Sequence, residues 1–412
     1  MRFHEARLDN GLQIVAESND ESHALAVGFF VRTGSRDESD EVAGVSHFLE
    51  HMVFKGTPSR SADDVNRQFD EMGAQYNAQT SEETTIYYAA VLPEYQHDVV
   101  SLWADVLRPS LREEDFTMEK KVIIEEIRMY DDQPPFGADE RCRALFFGKH
   151  PLSRSVLGTV ESIAELSAEQ MRGYFEDRYA PENITLVAAG RVDFPALVAT
   201  AKQVCGQWKA RSARRHTSPA LPQASFTAVE KPQAMQQYLL HMTAGPAADD
   251  QRRHAAKLLS TILGDDSGSR MFWELVHPGL AEFAGLSHYE YEGAGAFYAY
   301  MSCEPGQIQD NVQRVQDIYR TAEKDGITAD ELEQARSKLT SRVVLGSERT
   351  RSRMFGVGAN WIYRHEYRTV REHLNDLAGV SVDDVNQLLA DFPLSQGATI
   401  VIGPEADIKP PH

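Results

Sequence analysis

The sequence predicts an α+β fold of two structurally related domains, each a mostly antiparallel sheet covered by helices, and three observations carry that expectation. The chain has 412 residues, more than a single hydrophobic core of ordinary size holds. Near its middle the stretch "RSARRHTSPALPQ" (211–223) has basic and small residues, two prolines and no periodicity, the composition of a linker. Beyond it the order of elements restarts. "TADELEQARSKLTSRV" repeats the acidic start and helical spacing of "REEDFTMEKKVIIEEI" at a shift of 216 residues, which lays Leu332 on Phe116 and Arg342 on Glu126. The expected domains are therefore 1–210 and 224–412, joined by 211–223, with the second repeating the fold of the first without its metal residues.

The elements follow in order. "LDNGLQIV" (8–15) sets an Asn-Gly pair between two short alternating segments, a hairpin signature. "HALAVGFFVRTGS" (23–35) reads as a buried strand followed by a loop. Over 41–54, Val42, Val45, Phe48, Leu49 and Met52 form an apolar stripe at helical period. In "SADDVNRQFDEMGAQ" Ser61 caps a second helix and Gly73 stops it. "YNAQTSEETTIYYAAV" (76–91) is rich in Thr, Tyr and Ile and reads as extended chain. Helices are expected near 97–107 and 113–130. In the second half "QYLLHMTAG" and "GAFYAYMSCEP" read as strands, and "QRRHAAKLLSTILG", 307–324 and 329–345 as helices.

Composition narrows the function. Hydrophobic residues at 42% and charged ones at 25% belong to a folded chain rather than a disordered one. Apolar runs such as "ALAVGFFV" are too short to span a bilayer, and "MRFHEARLDNG" at the start has no apolar signal core. The expectation is a cytoplasmic protein with no membrane span. A net charge of −20 opposes nucleic acid or an anionic membrane as the main partner. Cys142, Cys205 and Cys303 are too few and too scattered for a disulfide framework or a thiolate cluster.

The stretch "SHFLEHMVFKG" (46–56) gathers His47, Glu50 and His51. Residues four apart lie one above the other on a helix, so His47 and His51 can aim at one metal ion. Glu50 is offset from that pair, which suits a general base acting on water better than a third ligand. The order H-x-x-E-H inverts the zinc-peptidase motif H-E-x-x-H. A catalytic zinc site needs a third protein ligand and an open position. The helix "EKKVIIEEIRMYDDQPP" offers Glu119, Glu125 and Glu126. Glu119 and Glu126, seven apart, share a face, whereas Glu125 points about 100° away from Glu126. That face would let Glu126 ligate the metal and Glu119 hold the far nitrogen of a ligating histidine. A solvated acidic helix is the plainer reading of the same residues.

Taken together, "HFLEHMVFKGT", "GAQYNAQTSEETTIYY" and "EKKVIIEEIRMYDDQP" resemble the insulinase/pitrilysin family of zinc peptidases. The likeness is strongest to its short branch, typified by mitochondrial processing peptidase and bacterial relatives, and it covers essentially the whole chain. It implies a metalloendopeptidase with one Zn2+ per chain that hydrolyses peptides bound in extended conformation. His47, His51 and Glu126 would be the zinc ligands, Glu50 the catalytic base, and Glu119 the acid behind a ligating histidine. Asn77 and Ala78 would contact substrate on an edge strand (74–80) that pairs with the peptide, though a strand-end amide explains Asn77 equally well.

One departure stands out. The family keeps an Arg and a Tyr seven apart, as in R-x-x-x-G-L-A-Y, to hold the substrate carbonyl. Here "ELVHPGLAEFAG", with one deletion allowed, puts Val276 and Glu282 at those positions. Arg270, Tyr289 and Tyr291 are nearby stand-ins, and a surface arginine and strand tyrosines account for them as well. The resemblance also implies that each chain forms half of a clam-like chamber. The expectation is thus a dimer, with a related metal-free chain supplying the Arg/Tyr pair or, alternatively, a homodimer. Two other functions compete: a structural or assembly subunit of the processing-peptidase-like fold, and a zinc-binding module without catalysis. The complete metal set favours the enzyme over the first, and the second leaves Glu50 without a task.

Overall fold

The computed structural model describes residues 1–215 and 217–412; His216, inside the expected linker, lies outside the described residues. Two sheets organise the chain. The first contains β1 (Arg2–Arg7), β2 (Gln13–Ser18), β3 (Leu25–Val31), β4 (Gln75–Thr80), β5 (Thr85–Val91) and β6 (Ile184–Gly190), in the order β1-β2-β6-β3-β5-β4. The second contains β7 (Ser225–Glu230), β8 (Gln237–Ala244), β9 (Phe283–Tyr291), β10 (Ala294–Cys303) and β11 (Gly397–Gly403), in the order β7-β11-β8-β10-β9. Each sheet is antiparallel except for one parallel pair, β2 with β6 and β7 with β11, which bears out the expected fold class.

Strand sequence explains strand place. "LAVGFFV" and "ITLVAAG" are apolar on both faces and wholly buried, as β3 and β6 in the middle of the sheet must be. "QYNAQT" alternates in exposure and forms the edge strand β4. Asn10 and Gly11 turn the hairpin between β1 and β2, whose register pairs Arg7 with Gln13.

The chain divides into two compact units, and the division is not a single cut. The first unit is Met1–Met129, Arg154–His216 and Leu345–Arg368; the second is Tyr130–Ser153, Thr217–Val344 and Thr369–His412. In the first unit the helices Val45–Val53 and Gln96–Val106 bury Phe48, Leu49, Met52 and Trp103 against one face of the sheet. The opposite face is covered by the helix Thr350–Arg364, through Met354, Val357 and Trp361 packed with Val15, Phe30 and Val187. Gly358 permits that approach, since a Cβ there would come within 2.4 Å of the Phe30 ring. In the second unit the helix Ala138–Phe147 buries Cys142, Phe146 and Phe147 against Leu240, Met242 and Ile400. Each sheet is thus completed by a helix from the other half of the sequence.

The stretch 211–223 has no helix or strand among its described residues, but it is anchored. The Arg215 guanidinium is buried against the carboxylate of Asp37, at 2.6 Å. The three cysteines are free and buried. Among the described residues no helix is long and apolar enough to cross a membrane.

Candidate metal centre

The helix expected over 41–54 is in fact two pieces. A short 3-10 turn spans Asp40–Val42, and the α-helix runs only over Val45–Val53. Gly44 divides them with φ +88°, and a Cβ there would come within 2.5 Å of the Leu157 carbonyl oxygen, so the turn demands glycine. The helix start is held by a distant carboxylate: the N–H groups of Gly44 and Ser46 donate to Glu38 at 2.7 and 2.8 Å. This satisfies donors that a helix N-terminus leaves open. Burial nonetheless pushes the Glu38 carboxyl up to about 7, against the lowering effect of those bonds. Ser46 also shares a hydrogen bond with the buried Tyr174 hydroxyl at 2.7 Å.

With Val45, Phe48, Leu49, Met52 and Val53 packed inward, His47 and His51 stand together on the helix, their ring centroids 4.8 Å apart. The helix Glu113–Asp132 brings Glu126 to both. Its Oε2 lies 3.8 Å from His47 Nε2 and 3.7 Å from His51 Nε2. One ligand atom from each of the three residues falls within 4.8 Å of the others. Donors about 2.0–2.1 Å from a tetrahedral zinc stand roughly 3.3–3.4 Å apart, so small side-chain shifts would seat an ion among them. The donor set, two imidazoles and a carboxylate, is one that zinc takes.

Protonation supports the fit. Burial, aided by the neighbouring His51, lowers the His47 pKa to about 4, leaving a neutral imidazole with a lone pair to give, and among the described residues its buried Nδ1 has no hydrogen-bond partner. His51 Nδ1 lies 2.9 Å from Glu119 Oε1. A carboxylate only accepts, so Nδ1 carries the proton and Nε2 is left as the free lone pair. Burial alone would lower the His51 pKa, but Glu119, Glu126 and Glu50 outweigh it and raise it. Glu119 is itself buried, and its other oxygen meets Lys55 Nζ at 2.5 Å. Burial would raise its pKa, yet His51 and Lys55 outweigh that and lower it.

Glu50 sits beside the cluster. Burial raises its pKa, Glu126 adds to the rise, and the Thr80 hydroxyl bond opposes it. Glu125 points outward and pairs with Arg128 at 2.6 Å, as the helical spacing requires. On β4 the N–H of Ala78 donates to the Asn77 side-chain oxygen at 2.9 Å. Arg270, Tyr289, Tyr291, Val276 and Glu282 all belong to the second unit. Arg270 is engaged by Glu331 at 2.7 and 3.0 Å and by the Gly326 carbonyl at 2.8 Å. Tyr289, on the edge strand β9, packs edge-on against Tyr298 with centroids 5.9 Å apart. Val276 ends a wide π turn over Phe272–Val276, and the Glu282 N–H donates to the Ser302 carbonyl. Sequence reasoning passed over Glu38, Lys55 and Thr80. Lys55 and Thr80 lie within the quoted motifs, whereas the role of Glu38 depends on a fold-back that no local pattern encodes.

Comparisons with known proteins place the chain in a family. The family model described as insulinase (peptidase family M16) matches residues 13–160, and that of the peptidase M16 inactive domain matches residues 165–339. The uncharacterized zinc protease YmxG of Bacillus subtilis is 31% identical over 97% of this chain and 98% of its own length. An uncharacterized zinc protease of Mycobacterium tuberculosis is 33% identical, over 96% of this chain and 92% of its own. The crystal structure of a protease from Helicobacter pylori superposes with a TM-score of 0.91 at 20% identity, over 97% of this chain and 99% of the other. A peptidase M16 inactive domain from Pseudomonas fluorescens superposes with the same score at 19% identity, over the full length of both. At such identities the two structures speak for the fold.

Proposed function

The chain belongs to the insulinase family, peptidase family M16, and from that premise we propose that it is a zinc-dependent endopeptidase acting on peptides bound in extended conformation. The observation that carries this reading is the convergence of His47, His51 and Glu126, with Glu50 beside them and Glu119 behind His51. His47, His51 and Glu126 would hold one zinc ion, and Glu119 would fix the ring and tautomer of His51. When bound, the ion would supply Lewis acidity at the scissile carbonyl and at the attacking water. Glu50 would take the proton of that water and return it to the leaving amine, and burial raises its pKa above that of an ordinary carboxyl. Asn77 and Ala78, on the open edge of the first sheet, would receive the peptide as an added strand.

The same reading includes a second chain. The guanidinium of Arg270 is already engaged by Glu331 and Gly326, which argues against its serving as the missing carbonyl donor. A dimer with a related, metal-free chain that supplies an Arg and a Tyr would complete the site. The test is to measure metal content and turnover of a quenched peptide library, with and without chelator, for the purified chain and for the chain co-expressed with such a homologue. Metal-free protein, or turnover that ignores the chelator, would defeat the proposal. Full turnover by the chain alone would remove the need for the partner.

A further inference from the structure

We propose that Thr80 is a positioning residue for Glu50, coupling the substrate-binding edge strand to the catalytic base; this rests on the peptidase reading above. Thr80 is the last residue of β4, and its hydroxyl donates to Glu50 Oε2 at 2.5 Å. Among the described residues it is the one hydrogen-bond donor to that carboxylate. A glutamate's terminal torsion is broad and shallow, so an unanchored carboxylate beside the cluster would sample many directions. Pinning Oε2 leaves Oε1 as the oxygen free to meet a water. The donor is itself stiff, because a β-branched threonine has few rotamers open to it.

What lies behind Thr80 fixes it further. In the turn that follows, the Ser81 N–H donates to the Thr84 carbonyl at 2.8 Å, and the two side-chain hydroxyls are 3.1 Å apart. Glu83, in the same turn, is buried against Arg36 at 2.6 Å, and Arg215 donates to the Glu83 carbonyl at 2.6 Å. Ser35 and Arg36 N–H groups bind the carbonyls of Ser81 and Glu82. The end of β4 is therefore clamped by buried charges, and the hydroxyl inherits that fixed position. Asn77 and Ala78 lie three and two residues upstream on the same strand. A peptide added to β4 would therefore meet a base already aimed from the strand it joins. A purely structural role is less apt, since Phe48, Leu49 and Met52 already seat the helix in the core.

The test compares Thr80→Val, which keeps the shape and removes the donor, with Thr80→Ser, which keeps the donor. Both are loaded with zinc and measured for metal content, kcat, KM and the crystallographic position of Glu50. In T80V, zinc and KM should hold while kcat falls about 10- to 100-fold, the scale of a small misplacement of a reacting group, and the Glu50 carboxylate should leave its place. T80S should restore both. Glu50 unmoved in T80V, a loss in KM alone, or T80S as impaired as T80V would each overturn the proposal. If T80V does not fold, Thr80→Ala removes the same hydroxyl with less bulk. A wild-type protein without turnover would defeat the peptidase reading, while the position of Glu50 in the variant crystals would still decide this one.

Discussion

The two units build one sheet pattern and put opposite chemistry on it. In the first, β2-β6-β3-β5-β4 is a parallel pair followed by antiparallel pairs, and β7-β11-β8-β10-β9 repeats that succession. The helix Glu113–Asp132 has its counterpart in Ala329–Ser347, 216 residues on. Phe116 and Leu332 are both buried at equivalent points, but Ala335 stands where Glu119 does and Arg342 where Glu126 does. The helix Arg253–Gly264 lies between β8 and β9 as Val45–Val53 lies between β3 and β4. Its buried hydroxyls, Ser260 and Thr261, bond back to the carbonyls of Ala256 and Lys257 at 2.9 and 3.0 Å, as such residues do within helices. The hydroxyls of this helix answer its own backbone. In the first unit, two imidazoles and a carboxylate face one another across a gap. The fold carries either arrangement, so the candidate metal centre is a property of a few side chains rather than of the scaffold.

Changes on the first unit's side should move metal or turnover. The largest effect is expected for Glu50→Gln, which keeps about one zinc per chain while turnover falls about 10²–10⁴-fold, the usual worth of a general base. Paired metal analysis and peptide kinetics check it, and near wild-type cleavage would break the assigned role. Next comes Glu126→Gln, which removes one of three donors and should weaken zinc affinity more than any neighbour. Glu125→Gln should leave affinity unchanged, because that side chain pairs with Arg128 on the outer face. Chelator competition separates the two. Glu119→Gln should follow with a loss in affinity of about 10- to 100-fold, because His51 then loses its orienting carboxylate.

The candidate metal residues were legible in the sequence because they obey local rules. Four-residue spacing joins His47 to His51, and seven-residue spacing puts Glu119 and Glu126 on one face, whatever the rest of the chain does. What escaped depends on distant partners. The helix Thr350–Arg364 covers the first sheet because Met354 and Trp361 find Phe30 and Val15 there, and Ala138–Phe147 covers the second because Phe146 finds Leu240. No periodicity tells which sheet an amphipathic helix will choose. The late start of the site helix has the same origin, since Glu38 and the crowding at Gly44 decide it. Thr80 was in plain view within "YNAQT", but its bond to Glu50 joins residues thirty apart.

The smallest effect should come from the second unit, at the position equivalent to Glu126. Arg342 binds Asp265, which Lys338 also holds at 2.8 Å. Burial would raise the Asp265 pKa, but Lys338 and Arg342 outweigh it and keep the carboxyl below its ordinary 3.8. A depressed pKa means that the folded protein takes up the proton less readily than the unfolded chain. The pair's contribution is then complete above that ordinary value and fades as pH falls through the lower folded one. Arg342 is 53% exposed along its side chain, so solvent screens the interaction, and Lys338 stays in place when the arginine is removed. Arg342→Gln should therefore cost no more than about 1 kcal/mol, read as a small drop in denaturation midpoint at pH 7 that shrinks in acid below pH 3.8. Zinc content and peptide turnover should not change. Metal loss in this variant would mean that the second unit supports the centre directly, and the contrast between the two units would no longer hold.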